Sequence, residues 1–147
     1  MRETVDSIKN QTFRDFEVWI IDGNSSEETQ EYLSKLEAPF FYQSKTDKGI
    51  YDAMNIGISL SKGEWFYFLG AGDLLENESI LTLVSNKLNL NLDILYGNIR
   101  YDAIKFTSIF SSLLWIKNTL HHQSVFYNKK LFSEINYEIS YKVLADY

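Results

Sequence analysis

Asp73 comes directly after an apolar run, "WFYFL" (65–69), and a turn of Gly70, Ala71 and Gly72. Two glycines let a ligand approach the backbone closely, and a carboxylate there can hold a hard divalent cation against a diphosphate. One carboxylate is a small share of a metal site. Mg²⁺, however, commonly takes one or two protein carboxylates and fills the remaining positions with substrate oxygens and water. The bland alternative is a glycine-rich turn. Asp22 raises a similar question, standing at the end of "FEVWIID" (16–22). It could accept a hydrogen bond from a nucleobase imide or a ribose hydroxyl, or take a phosphoryl group as in receiver domains. It could equally be the Asp of an ordinary Asp-Gly turn.

A third group lies in "KTDKGIYDAMNIG" (45–57). Asp47 and Lys48 precede a glycine and a helix start, where Lys48 and the unpaired N–H groups of the first turn favour a phosphate. Asp52 and Asn55 share a helix face at i, i+3 and could point into a cleft, or could be the solvated side of an amphipathic helix. Near the end, His121 and His122 would point opposite ways if they lie in a strand, so at most one would face a site. Asp146, in "ADY", has the chemistry of a general base.

These groups need elements to hold them. "FEVWIID", "PFFYQS", "EWFYFL" and "LDILYGNI" read as strands. The continuous apolar character of "EWFYFL" suits a strand covered on both faces. "SSEETQEYLSKL" predicts a helix with a Ser25–Glu28 capping box and a face of Thr29, Tyr32, Leu33 and Leu36. "KGIYDAMNIGISLSKG" predicts a helix whose stripe is Ile50, Ala53, Met54, Gly57 and Ile58, and "NESILTLVSNKL" another, with Leu81, Val84 and Leu88 on one side. "RETVDSIKNQTF" reads as an opening helix with no strand before it. "HHQSVFYNKKLF" suggests a strand and a short helix within a less regular part from Arg100 onward. Strands alternating with helices imply the α/β class, three layers with a mostly parallel, Rossmann-like sheet. Such sheets bind ligands outside the carboxyl ends of their strands, where Asp22 and Asp73 fall.

Bulk properties narrow the function classes. The 147 residues suit one domain with a real core. The net charge of −6, with acids and bases scattered, argues against nucleic acid as a partner. Cysteine is absent, which excludes disulfides, thiolate metal sites and a Cys nucleophile. Aromatic residues make up 16%, a surplus that suits a lined cleft and an aromatic core equally well. No signal peptide or lipidation motif opens the chain. Apolar runs such as "WFYFL" and "LLWI" are far short of the roughly 20 residues of a membrane helix, so the segment is expected to be soluble by itself.

Order and spacing say more than any single group. "SIKNQTFRDFEVWIIDGNSSEET", "DKGIYDAMNIGISLSKGEWFYFLGAGD", "HHQSVF" and "ADY", in this order, closely resemble the family 2 glycosyltransferases with the glycosyltransferase-A fold, above all bacterial members that build surface polysaccharides. The resemblance covers nearly the whole chain. It implies inverting transfer of a sugar from a UDP-sugar or another nucleoside-diphosphate sugar to a hydroxyl of a glycan or lipid-linked acceptor. Asp22 then binds the base, Asp47 and Lys48 lie over the ribose and diphosphate, and Asp52 and Asn55 lie near the nucleotide-sugar cleft. Asp73 holds Mg²⁺ or Mn²⁺, His122 lies near the metal or acceptor, and Asp146 is the catalytic base. Family members usually carry a second acid where this chain has Gly72, a position that contacts the sugar or ribose.

The resemblance also implies a single but incomplete catalytic domain over residues 1–147, with the first strand and the C-terminal acceptor region missing. A missing strand would expose a sheet edge or leave a gap, which favours a homodimer or instability. The expected place is the cytoplasm, with peripheral association at the inner face of the cell membrane compatible with it. Two other readings compete: a catalytically inactive nucleotide-binding fragment of such an enzyme, and a receiver-like module phosphorylated on Asp22. The last lacks the acid cluster and the later Lys that those modules use.

Overall fold

β-Branched and aromatic residues drive Val18–Asp22 (β1) and Phe40–Ser44 (β2) into strands that pair in parallel, from Val18 opposite Phe40 to Asp22 opposite Ser44. In this computed structural model, residues 1–88, 91–109, 120–134 and 136–140 are described. They form two compact units: Met1–Arg14 with Trp65–Lys130, and Asp15–Glu64 with the described part of Leu131–Tyr147.

The unit holding β1 and β2 also contains α2 (Glu27–Ser34) and α3 (Ile50–Leu60), in the order β1–α2–β2–α3. Leu33 of α2 is fully buried, and Phe40, Tyr51 and Met54 are buried with it. The buried stripe of α3 therefore runs through Tyr51 and Met54, whereas Ile50, expected to lie on it, is 55% exposed. Gly57 is the close-packing point: a Cβ there would sit 3.8 Å from Ile21 of β1. Ser26, not Ser25, is the N-cap of α2, and it makes no side-chain cap bond. The expected capping box does not form because the Ser25 N–H is drawn to the Asp22 carboxylate. Past the C-terminal end of α3, the carboxylate of Glu17 accepts the N–H groups of Lys62 and Gly63, the latter at 3.1 Å.

The other unit opens with α1 (Arg2–Lys9), shorter than the sequence pattern suggested, and continues through β3 (Trp65–Tyr67) and α4 (Ile80–Ser85). Val125–Asn128, labelled β7 in chain order, runs antiparallel between β3 and β4 (Ile94–Tyr96). The parallel pairing expected from strand–helix alternation is thus seen at β1–β2, while this strand from the less regular part pairs in the opposite sense. Ile99–Tyr101 (β5) and Ile104–Phe106 (β6) form a hairpin that the sequence did not announce. Its turn has Asp102 at φ 52°, where a glycine or asparagine would have been the usual signal. Among the described residues, Val5, Phe66, Leu75 and Val125 are the buried apolar ones of this unit.

Gln11 is completely buried and replaces missing backbone partners. Its Nε2 donates to the carbonyls of Ser7 and Asn77, and its Oε1 accepts the Leu81 N–H at the start of α4. A side-chain amide with two donors and an acceptor suits this junction between two helix ends.

Candidate functional site

The parallel register places Ser44 opposite Asp22, and its hydroxyl donates to Asp22 Oδ2 at 2.6 Å. The Ser25 N–H adds bonds of 3.1 and 3.3 Å to the same carboxylate. Only 4% of Asp22 is exposed. Burial alone would push its pKa up, but the hydrogen bonds from Ser25, Ser44 and the Asn24 backbone outweigh it and hold the carboxyl below its ordinary value. The result is an anion fixed at the C-terminal ends of two parallel strands, with lone-pair capacity left for a further donor.

The segment after β2 is built on backbone capture. Asp47 Oδ1 accepts the Gly49 N–H at 2.9 Å, and Asp52 Oδ2 accepts the Lys48 N–H at 2.9 Å. The two acids therefore hold the backbone on either side of Lys48, whose side chain is exposed. The carboxylate of Asp47 also fits against Gly23, where a Cβ would come within 3.1 Å of Oδ2. Asp22, Gly23, Ser44, Asp47, Lys48 and Asp52 are thereby gathered at one strand-end region of one unit. Asn55 does different work. Its Nδ2 donates to the Tyr137 carbonyl at 2.8 Å and its Oδ1 accepts the Tyr137 N–H at 2.9 Å. Tyr51, one turn before Asn55, stacks on the Tyr137 ring at 5.5 Å, so one face of α3 holds the segment around residue 137 by both contacts.

In the other unit, β3 leads to the turn of Gly70, Ala71, Gly72 and Asp73. The Asp73 N–H donates to the Gly70 carbonyl at 3.0 Å, and Asp73 Oδ2 accepts the Gly70 N–H at 3.1 Å. A Cβ at Gly70 would lie 2.8 Å from that oxygen, so a side chain there would displace the carboxylate. Gly72 has φ 109° and donates its N–H to Thr4 Oγ1 at 2.9 Å. A Cβ at Gly72 would meet nothing within 4 Å. Space does not exclude a second acid there; the backbone conformation disfavours it.

The family resemblance brings a divalent cation into question at Asp73. Oδ2 is engaged by Gly70, which leaves Oδ1 as a hard oxygen donor on a half-buried carboxylate. Among the described residues no group of three or more His, Asp or Glu gathers as a ready-made cage. A single carboxylate that relies on diphosphate oxygens and water fits Mg²⁺ or Mn²⁺. His122 lies in a 3₁₀ turn, His122–Ser124, just before β7 rather than inside a strand, so the alternation expected for the histidine pair does not apply. His121 sits edge-on to Phe106, with ring centroids 6.0 Å apart. Asp146 lies outside the described residues.

Ser44 and Tyr67 belong to these arrangements and escaped sequence reasoning. Ser44 becomes visible only once the β1–β2 register is known. Tyr67 looks like one more aromatic in a buried strand, yet its hydroxyl donates to the Gln123 carbonyl at 2.7 Å.

With helices and a parallel strand pair, the chain is of the α/β class. Residues 1–144 match the family described as Glycosyl transferase family 2, and the chain belongs to that family. It is similar to "PGL/p-HBAD biosynthesis glycosyltransferase" of Mycobacterium bovis and of Mycobacterium tuberculosis, 36% identical to each over 154 aligned positions that cover 97% of this chain. It is also 30% identical to an uncharacterized glycosyltransferase of Mycobacterium tuberculosis, over 99% of its own length. The chain spans 60% of the length of each of these relatives. No helix among the described residues is long and apolar enough to cross a membrane.

Proposed function

We propose that this chain carries the donor site of an enzyme that moves a sugar from a nucleoside-diphosphate sugar to a hydroxyl of a glycan or lipid-linked acceptor, with inversion at the anomeric carbon. The observation that carries the reading is the buried anionic Asp22, paired with Ser44 at the carboxyl ends of parallel strands beside the Asp47–Lys48 segment. Ligands of α/β sheets bind at such ends. Asp22 accepts a hydrogen bond from the base or ribose. Asp47 and Asp52 fix the backbone around Lys48, whose ammonium faces the diphosphate. Asp73 holds the divalent cation, which when bound neutralises charge on the diphosphate, and His122 lies near it or the acceptor. The family's pattern makes Asp146 the base. Its carboxylate takes the acceptor's proton, the acceptor oxygen bonds to the anomeric carbon, and the bond to the β-phosphate oxygen breaks with its electron pair leaving on the diphosphate. Acceptors from PGL/p-HBAD biosynthesis, the process named in the relatives' descriptions, are the first to try.

Calorimetric titration with UDP and GDP, with and without Mn²⁺, tests the donor site. Nucleotide should bind more tightly with Mn²⁺, and Asp73→Ala should remove only that increment. Binding that ignores the metal in both proteins would sink the role given to Asp73, and no binding of any nucleotide would sink the donor site. Nucleotide release on adding acceptor should fall by roughly 10²–10⁴-fold in Asp146→Asn while nucleotide affinity stays. Tight nucleotide binding with no release would instead favour a catalytically inactive nucleotide-binding chain.

A further inference from the structure

We infer that Tyr67 is a positioning residue that holds the His122–Ser124 turn in register with the strand leading to Asp73. The inference rests on the donor-site reading above for its functional meaning, but its geometry is independent of it. Tyr67 pairs with Phe126 across β3 and β7, and the two rings stack with centroids 4.3 Å apart and planes 9° from parallel. The stack sets the direction of the ring, which carries the hydroxyl to the Gln123 carbonyl at 2.7 Å. Gln123 is the middle residue of the turn, which closes on itself through the Ser124 N–H and Oγ, both donating to the His121 carbonyl. Neither bond ties the turn to β3; the phenol does.

The same phenol lies within the influence of Asp73. Burial first, and then the Asp73 carboxylate, push the Tyr67 hydroxyl far above the usual phenol range, so it stays a neutral donor. By its position in β3, ahead of the Asp73 turn, and its bond to Gln123, the hydroxyl links the strand that leads to Asp73 with the turn that carries His122. Phe66 and Phe68 flank it in sequence, and a third phenylalanine at this position would fill the same space and keep the stack. What a phenylalanine would lack is the bond to the turn. Removing an outer group that orients a metal ligand typically costs roughly 10–100-fold in metal affinity, and Tyr67 acts one residue away from His122.

Tyr67→Phe isolates that bond. Without any ligand, amide exchange at Ser124 should become roughly 10-fold faster while the Phe126 amide, inside β7, keeps its rate. With UDP present, Mn²⁺ affinity should fall roughly 10-fold, UDP affinity without metal should not change, and the fall should shrink when His122→Ala is already in place. A role confined to stability would speed exchange at Phe126 as well and weaken both kinds of binding. Unchanged exchange at Ser124, or an unchanged Mn²⁺ affinity in a variant whose turn has loosened, would overturn the inference. Failure of the donor-site reading looks different: it shows in the unsubstituted chain, as UDP binding that ignores Mn²⁺, whatever the exchange rates are.

Discussion

The backbone N–H of Gly72 donates to the hydroxyl of buried Thr4 at 2.9 Å, and Gly72 holds a φ of 109° to do so. The turn ahead of Asp73 is therefore anchored to α1 through a residue whose conformation L side chains rarely adopt. This bears on the absence of a second acid at position 72. An aspartate there would have room for its side chain, but the backbone would have to leave its present conformation or bear the strain.

Gly72→Asp should lower stability by about 1–3 kcal/mol, the usual cost of an unfavourable backbone conformation. Gly72→Ala should cost nearly as much, because a Cβ meets no neighbour and the penalty lies in the backbone rather than in packing. Urea unfolding of the three proteins measures this. A loss in the aspartate variant alone would point to charge instead, and no loss in either would show that the turn relaxes freely.

The gradient between what the sequence disclosed and what it hid follows the range of the interaction. The β1 strand and its terminal acid are local features, and an apolar β-branched run ending in Asp-Gly was enough to find them. The partner of Asp22 was not legible, because Ser44 reaches it through a register set across 22 residues. The same holds for Glu17, read as part of a strand but used to accept backbone N–H groups at Lys62 and Gly63. Asp52 and Asn55 share one helix, as their spacing predicts, but which backbone each holds depends on segments that periodicity cannot locate. The β5–β6 hairpin was hidden for another reason: Asp102 supplies the positive φ that glycine normally advertises.

Asp22 should shape the acid limb of stability. Its folded pKa lies below the ordinary value of 3.8 despite burial, because the hydrogen bonds favour the charged form. The unfolded chain then takes up its proton at a higher pH than the folded chain does. Its contribution is complete above the unfolded value and is lost as pH falls through the lower, folded value. Asp22→Asn should flatten the drop in urea midpoint between about pH 5 and pH 2 and leave the shape of the curve near neutral pH alone. An acid limb equally steep in both proteins would mean that other carboxylates govern it.

Asn55 is the residue whose geometry most changes its expected role. Both ends of its amide are engaged with the backbone of Tyr137, at 2.8 and 2.9 Å, an arrangement that mimics a pair of strand hydrogen bonds. Asn55→Ala removes both partners at once and should destabilise the protein by about 1–3 kcal/mol, since part-buried backbone groups must then find water or pay for desolvation. Asn55→Asp should be no better: a carboxylate can still accept the Tyr137 N–H, but it sets a negative oxygen against the Tyr137 carbonyl. The damage should be local. Limited proteolysis should cut sooner between Phe132 and Ser140 in both variants, while the Asp22–Ser44 end of the unit keeps its protection. If UDP affinity falls in step with the loss of the Tyr137 anchor, α3 couples the nucleotide loop to that segment. If proteolysis accelerates and UDP affinity holds, Asn55 serves the fold alone and drops out of the nucleotide site.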